Sequence, residues 1–352
     1  MYLDVLIIGQ GLCGTFLHWY LSAAGLKCTI FDSNDKQGAS TIAAGIINPV
    51  TGRRMVQTWM INELMPFAHN AYKTLEKELN AELIAKKDII DFFPTAQMRR
   101  AFLEHVDANT EYLALPADEK EFHQYFHYEL GFGVITPAYL VQPSALLNAY
   151  RIKLKANGEL VEQHIDVDLI QRNEQHWQLG TLRAKFVVFC NGINSYQSAF
   201  FKNLPFAPNK GEVLYIEAKG LPDNYIFKKG INLVPVEKDI YWVGSSYEWV
   251  FDNDQPTQEF LNRTNLLLKN WLKTPFKILD HRAAIRPATL ERRPFVGMHP
   301  DIPTLGILNG MGTKGCTLAP WFANQLSRHI REGEAILPEA SIHRFRNLMA
   351  RQ

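Results

Sequence analysis

Apolar runs and turn residues alternate in a regular order at the start of the chain. Residues 5–8 form an unbroken apolar run that ends at Gly9, which predicts a buried strand. Residues 15–24 carry apolar side chains at helical spacing and stop at Gly25, which predicts a helix. Residues 29–32 are a second short run, and it ends in an acid. This order of strand, helix and strand predicts the opening unit of a parallel sheet.

The turn between the first strand and the helix has the residue pattern of a dinucleotide-binding motif. Gly9 permits a tight turn, Gly11 lets a pyrophosphate approach the backbone, and Gly14 lets the helix pack closely on the strand. The helix N-terminus directs free N–H groups at the phosphates. Asp32 ends the second strand where a carboxylate reaches a ribose 2′-hydroxyl. The residues that we assign to this contact are Gly9, Gly11, Leu12, Cys13, Gly14, Asp32 and Ser33.

Small residues dominate the next segment, residues 38–49. Small side chains let the backbone lie against a flat ring and a pyrophosphate, which favours FAD over NAD. An ordinary loop leading into a helix is the alternative, although the length and apolar content of the segment make a surface loop the poorer choice. We assign Ser40, Thr41, Ala44 and Gly45 to the cofactor.

Two later segments are predicted to return to the same sheet. The first is the apolar run at residues 186–192, preceded by an alternating stretch at 164–170 that also predicts a strand. The second is residues 304–315, a strand that enters a second glycine-rich turn before a helix at 318–330. A nucleotide domain built from distant parts of the chain is typical of FAD enzymes. The residues assigned to the cofactor here are Val167, Asn191, Gly192, Gly310, Met311, Gly312, Thr313, Lys314 and Gly315.

The order of short motifs resembles the D-amino-acid oxidase-type superfamily of FAD-dependent oxidoreductases, which contains glycine oxidase and sarcosine oxidase. The resemblance covers nearly the whole chain through residues 9–14, 38–45, 139–143, 210–214, 232–235, 241–244, 285–297 and 309–315. It implies a mixed α/β protein in which a Rossmann-type FAD-binding domain carries an inserted antiparallel-sheet substrate domain.

We expect two domains, each built from more than one segment. The FAD-binding domain comprises residues 1–55, 139–204 and 280–352, and the substrate domain comprises residues 56–138 and 205–279. The pattern predicts helices at 66–79 and 258–272 and strands at 122–128, 214–216, 232–235 and 239–244.

The resemblance also implies a reaction and residues that serve it. The α-hydrogen of a small amino acid or N-substituted glycine leaves as hydride to flavin N5, which oxidises a C–N bond. Arg286 occupies the position of a carboxylate-binding arginine, and an arginine that bridges the domain junction is the alternative. Lys314 would offset negative charge near flavin N1, and a solvated turn lysine is the alternative.

Two further residues, Asn232 and Tyr247, align with substrate-pocket positions of the family. Relatives often place an aromatic residue where this chain has Asn232, so the substrate stays open. Residues 286–293 lack the cysteine by which sarcosine-oxidase-like relatives attach flavin, so we expect non-covalent FAD.

Composition narrows the class of partner. The formal net charge of +1 gives no general attraction to nucleic acid, and no apolar run is long enough to span a bilayer. The first strand begins almost at the first residue without a charged leader, so we expect a cytoplasmic protein. The four cysteines lack metal-ligand spacing, so we expect no metal. A small amino acid or amine is the expected partner.

Two other functions remain open. Residues 310–320 also resemble the oxidase domain of bifunctional proteins that modify the tRNA wobble uridine, for which oxidative removal of a carboxymethyl group is the implied reaction. Such a substrate would require a basic approach surface. The candidates for that surface are Arg53, Arg54, Lys86, Lys87, Arg99, Arg100, Arg292, Arg293, Arg344, Arg346 and Arg351. A flavoprotein that binds FAD without catalysis is the third possibility.

Overall fold

Helices and strands alternate along nearly the whole chain. The structure, a computed structural model, describes residues 2–34, 38–52, 54–108, 111–163, 165, 170–173 and 176–350. Val167, Arg53 and Arg351 lie outside the described residues, as does most of the strand predicted at 164–170.

Eight α-helices occur within the described residues. In chain order they are α1 Leu12–Ala23, α2 Ala39–Ile42, α3 Ile61–Leu79, α4 Ala96–Asp107, α5 Pro143–Asn157, α6 Gln258–Trp271, α7 Gly315–Glu332 and α8 Arg346–Met349. Two 3₁₀ turns are Gly192–Gln197 and Ile342–Phe345.

The strands described are also numbered in chain order. They are β1 Tyr2–Ile8, β2 Cys28–Asp32, β3 Ile46–Ile47, β4 Val50–Thr51, β5 Val56–Gln57, β6 Ile84–Lys86, β7 Ile89–Phe92, β8 Leu113–Ala114, β9 Phe132–Ile135, β10 Tyr139–Val141, β11 Leu160–Glu162, β12 Gln171–Arg172, β13 Trp177–Leu179, β14 Leu182–Phe189, β15 Asn209–Glu217, β16 Ile226–Lys228, β17 Asn232–Glu237, β18 Ile240–Gly244, β19 Lys277–Arg286, β20 Phe295–His299 and β21 Ile302–Asn309.

A parallel sheet has β1 at its centre. Strand β1 pairs in parallel with β2 and β14, β2 pairs with β11, and the end of β14 pairs with β21. Antiparallel strands extend it, because β20 pairs with β21, β13 with the start of β14, and β12 with β13. Distant segments thus converge on one sheet with helices packed on it. The predicted α/β class with a Rossmann-type sheet is confirmed.

A second sheet has eight strands in the order β19, β15, β18, β17, β16, β7, β9, β8. Its neighbouring strands are antiparallel, as expected, except that β7 and β16 pair in parallel. These two strands come from segments that are more than a hundred residues apart, and no hairpin joins them. Helix α6 packs on one face of this sheet through Phe260, Leu268 and Trp271.

Most predicted elements are present, with shifted ends. Helix α1 begins at Leu12 because the glycine turn leads directly into it, and α3 begins at Ile61, before Pro66. Buried Leu64 and Met65 show that the apolar face of α3 extends ahead of the proline.

The strand predicted at residues 122–128 is wrong. The structure has turns there, with one isolated bridge from Phe126 to Leu272. Phe122 and Phe126 are four residues apart and enter the same aromatic core. The backbone N–H of Phe126 donates to the carbonyl of Phe122 at 3.0 Å, as in a helical turn. A strand would also direct Gln124 to the same face as these two residues, and Gln124 is exposed. None of the described helices has both the length and the apolar content needed to cross a membrane.

Helix α6 offers a matched test of how its packing stabilises the second sheet. Leu268→Ala removes a fully buried side chain and should lower the free energy of unfolding by about 2–5 kcal/mol. Leu266→Ala, on the exposed side of the same helix, should change it by less than about 0.5 kcal/mol. Urea unfolding at one fixed FAD concentration measures both. Equal losses would contradict this packing.

Candidate active site

One cavity of about 1360 Å³ is lined by residues from both sheets. We define its one end by the lining residues of the parallel sheet, such as Gly9 and Asp32, and its other end by those of the second sheet, such as Trp242 and Arg286. Most of the sequence-predicted site residues line it. They are Gly9, Gly11, Leu12, Cys13, Asp32, Ser33, Ser40, Thr41, Ala44, Gly45, Asn191, Gly192, Asn232, Arg286, Met311, Gly312, Thr313 and Gly315.

The glycine turn after β1 leaves no room for larger side chains. A Cβ on Gly14 would lie 1.9 Å from the carbonyl oxygen of Gly9, and Gly9 itself has a φ of +99°. The backbone of helix α1 therefore packs directly against the backbone at the end of β1. Gly14 is absent from the cavity lining because it serves this packing.

The first turn of α1 suits an anion. It contains no acidic residue, and the N-cap residue Gly11 provides no side-chain hydrogen bond. The N–H of Leu12 donates to the hydroxyl of Ser40 at 3.3 Å, which ties the small-residue segment to the turn. The helix dipole and the N–H groups of this turn favour a phosphate at this end of the cavity.

The carboxylate of Asp32 is held by three donors. One oxygen accepts from the backbone N–H of Gln10 at 2.8 Å. The other accepts from the backbone N–H of Asn34 and from Nη1 of Arg151, both at 2.8 Å. Arg151 also donates from Nε and Nη2 to Glu162.

Sequence reasoning missed Arg151 because this pair joins residues 119 positions apart. Helix α5 brings the arginine to the end of β2, and no local pattern marks it.

Asparagine side chains connect the two later glycine-rich segments. Asn309, at the end of β21, donates from Nδ2 to the carbonyl of Gly192 at 2.7 Å and to Ser195 Oγ at 2.8 Å. Ser195 in turn donates to Asn191 Oδ1. Gly310 has a φ of +77° and packs on Thr289 and Phe295, so it shapes the turn without lining the cavity.

At the other end of the cavity, Arg286 ends β19. Its Nη1 donates to Asn209 Oδ1 and its Nη2 to Ser245 Oγ, each at 2.6 Å. The ring of Tyr247 lies 5.4 Å from the guanidinium carbon. Burial lowers the pKa of Arg286, and the nearby Tyr247 and Glu248 partly oppose that shift. The guanidinium stays charged near neutral pH.

The other three predicted catalytic residues differ in position. Asn232 lines the cavity and donates to the carbonyl of Gly244 at 3.3 Å. Tyr247 is half exposed beside Arg286 and outside the lining. Lys314 is the N-cap residue of α7 and is also outside the lining. Burial, reinforced by Arg293 and Arg292, lowers the pKa of Lys314.

Two free cysteines, Cys13 and Cys316, also line the cavity. Burial raises the pKa of each thiol to about 12, so both are protonated near neutral pH. Among the described residues, no group of three or more His, Cys, Asp or Glu side chains is arranged to hold a metal ion.

A glycine turn before a helix, an acid at the end of the next strand and a large cavity that both of them line define a dinucleotide-binding protein. The closeness of Gly14 to Gly9 and the uncapped first turn of α1 fit a bound pyrophosphate. The chain belongs to the family described as FAD dependent oxidoreductase, DAO, whose model matches residues 4–328. It is therefore an FAD-dependent oxidoreductase, and the predicted cofactor is confirmed.

Known proteins resemble the chain over most of its length. It is 25% identical to glycine oxidase of Bacillus licheniformis over 346 residues, which cover 90% of each chain. It is 23% identical to the tRNA 5-methylaminomethyl-2-thiouridine biosynthesis bifunctional protein MnmC of Acinetobacter baylyi, covering 96% of this chain and 54% of that protein. The structure of iminodiacetate oxidase from Chelativorans sp. BNC1 matches with a TM-score of 0.76 at 20% identity, covering 96% of this chain and 98% of that one.

Replacing Asp32 tests the nucleotide end of the cavity. Asp32→Ala should weaken FAD binding by about 1.5–3 kcal/mol, the size of a hydrogen bond to a charged group. Arg151→Met should weaken it less, because Asp32 keeps two backbone donors. Quenching of flavin fluorescence on binding gives both dissociation constants. If saturating FAD fails to restore activity in a folded Asp32→Ala protein, Asp32 has another role.

Acid precipitation tests how FAD is attached. The thiols of Cys13 and Cys316 are protonated, and protonated thiols are poor nucleophiles, so all flavin should leave the denatured protein as intact FAD. Chromatography of the supernatant measures the released FAD. A pellet that stays yellow after washing would contradict non-covalent binding.

Proposed function

We propose that the protein oxidises the C–N bond of a small amino acid or N-substituted glycine. The observation that carries the proposal is the Arg286 guanidinium at the end of the cavity opposite Asp32. All of its hydrogen-bond acceptors within the described residues are neutral. A half-buried cation whose hydrogen-bond acceptors are all neutral favours an anionic ligand.

The role of Arg286 is to bind and orient the substrate carboxylate. Its planar fork matches a carboxylate, which would replace the two 3.3 Å contacts with the Ser246 carbonyl by one hydrogen bond from each Nη atom and so fix the α-carbon beyond it. Trp242 and Asn232 line the same end of the cavity, and Trp242 is fixed by donating from Nε1 to the carbonyl of Ile42 at 2.9 Å. FAD, when bound, supplies the acceptor for the hydride that leaves this α-carbon.

Tyr247 contributes by covering the guanidinium. Its ring lies over Arg286 and packs edge-on against Trp249, with ring centroids 5.3 Å apart. Tyr247 is half exposed, so its ring lies between the guanidinium and bulk water on that side. Partial exclusion of water strengthens the ion pair between Arg286 and a carboxylate.

The names of the relatives agree with this substrate class. One is a glycine oxidase and another is an iminodiacetate oxidase. Glycine and iminodiacetate each carry a carboxylate on the carbon that bears the amine nitrogen. A carboxylate clamp at Arg286 suits both molecules.

A second candidate is oxidation of a modified tRNA base, supported by the match to MnmC over 96% of this chain. The surface gives it less support. Several of the basic residues that would approach tRNA lie within 4 Å of carboxylates, namely Lys86, Arg99, Arg100 and Arg344. Bleaching of the flavin by an amine would exclude a purely FAD-binding module, and a gel shift with tRNA would favour the second candidate.

Substitution of Arg286 tests the proposed function. Arg286→Lys keeps the charge but loses the fork, so kcat/KM for an amino acid should fall. Arg286→Ala should lower it further, by about 2–5 kcal/mol, because one partner of a desolvated pair is deleted. The matched amine without a carboxylate is the control and should lose little in either variant. Equal losses for acid and amine would mean that Arg286 is structural.

A further inference from the structure

The side chain of Asn209 is fixed at both ends. It begins β15 directly opposite Arg286 on β19, and it is 0% exposed. Its Nδ2 donates to the carbonyl of Glu248 at 2.9 Å, so its Oδ1 must point the other way, toward Nη1 of Arg286 at 2.6 Å. This hydrogen-bond pattern fixes the orientation of the amide.

Neutral acceptors also hold the other side of the guanidinium. Ser245 Oγ accepts from Nη2 at 2.6 Å, and the carbonyl of Ser246 accepts from both Nη atoms at 3.3 Å. Ser246 is itself fixed, because its Oγ accepts from the backbone N–H of Glu212 at 2.9 Å. The guanidinium is therefore positioned without any loss of its net charge.

The strands beneath this group are close and well anchored. A Cβ on Gly211 would lie 1.8 Å from Nη2 of Arg286, so the guanidinium packs directly on the backbone of β15 at Gly211. Glu212, which is 0% exposed, accepts from the backbone N–H and the hydroxyl of Thr257 and hydrogen-bonds His281 at 2.9 Å. Those contacts join β15 to β19 and to the start of α6.

We propose that Asn209 is a positioning residue that orients Arg286 while leaving its charge for the substrate carboxylate. An aspartate has almost the same shape and would accept the same hydrogen bond from Nη1. It would also add a buried negative charge 2.6 Å from the guanidinium, and the resulting ion pair would compete with the substrate. The amide at this position thus sets the preference for anionic substrates. This inference rests on the proposed function of Arg286.

The test compares Asn209→Asp with wild type in the FAD-loaded protein. Acetate serves as the carboxylate probe, and its dissociation constant is read from the change in flavin absorbance. We expect acetate binding in Asn209→Asp to weaken roughly 100-fold, the order seen when a charged partner of a close pair is altered. KM for an amino acid should rise more than kcat falls, and the matched amine should bind at least as well as to wild type.

Two further variants separate charge from packing. Ser245→Asp brings a carboxylate to the opposite side of the guanidinium and should have the same effect, which keeps the test decisive if Asn209→Asp fails to fold. Asn70→Asp makes the same change of charge at an exposed position on α3 and should leave acetate binding unchanged.

The outcomes separate this inference from the function on which it rests. If Arg286→Ala loses acetate binding while Asn209→Asp and Ser245→Asp bind it as wild type does, the role of Asn209 is refuted and the function of Arg286 stands. If Arg286→Ala also binds acetate as wild type does, the proposed function itself fails.

Discussion

The parallel pairing of β1 with β2 and β14 is the constraint on which the candidate site depends. Parallel strands end at the same edge of a sheet, so the residues that follow them meet there. Gly9, Asp32 and Asn191 follow or end these three strands, and Gly310 follows β21, which pairs with β14. One hydrogen-bonding pattern therefore gathers four distant segments along one cavity.

The second sheet supplies what the first cannot, a charged group at the far end of that cavity. Strand β19 ends at Arg286, and Pro287 follows it. Proline cannot donate to a sheet, so the chain leaves the second sheet at this point and returns to the first through β20. The arginine thus lies where the chain crosses between the sheets, beside residues from both.

The nucleotide end of the site could be read from the sequence because its signals are local. Gly9, Gly11 and Gly14 lie within six residues, and Asp32 ends the next strand. Arg286 came from resemblance alone, since nothing in its neighbouring residues identifies a carboxylate clamp. Arg151 and Asn209 were missed because each acts through a partner at least 77 residues away.

The fold shows the same division between local and distant signals. The amphipathic helices were predicted well, because their periodicity is a local property. The aromatic stretch at 122–128 misled the strand prediction, since its phenylalanines pack around Phe92 and Trp271 in a core that only the folded chain forms. No pattern in the sequence indicates the parallel pairing of β7 with β16 either. The domain boundaries remain predictions.

The three donors around Asp32 limit how many partners its carboxylate has left. An ionised carboxylate offers about four lone-pair directions. Gln10, Asn34 and Arg151 occupy three of them, so about one direction is left for a ligand. Only a hydrogen-bond donor, such as a hydroxyl, can use this remaining direction. A phosphate oxygen is itself an acceptor and carries the same negative charge as the carboxylate, so it would be repelled. If the ribose of the dinucleotide binds at Asp32, the number of hydrogen bonds that one carboxylate can accept, rather than the width of the cavity, would distinguish a bare ribose from a phosphorylated one.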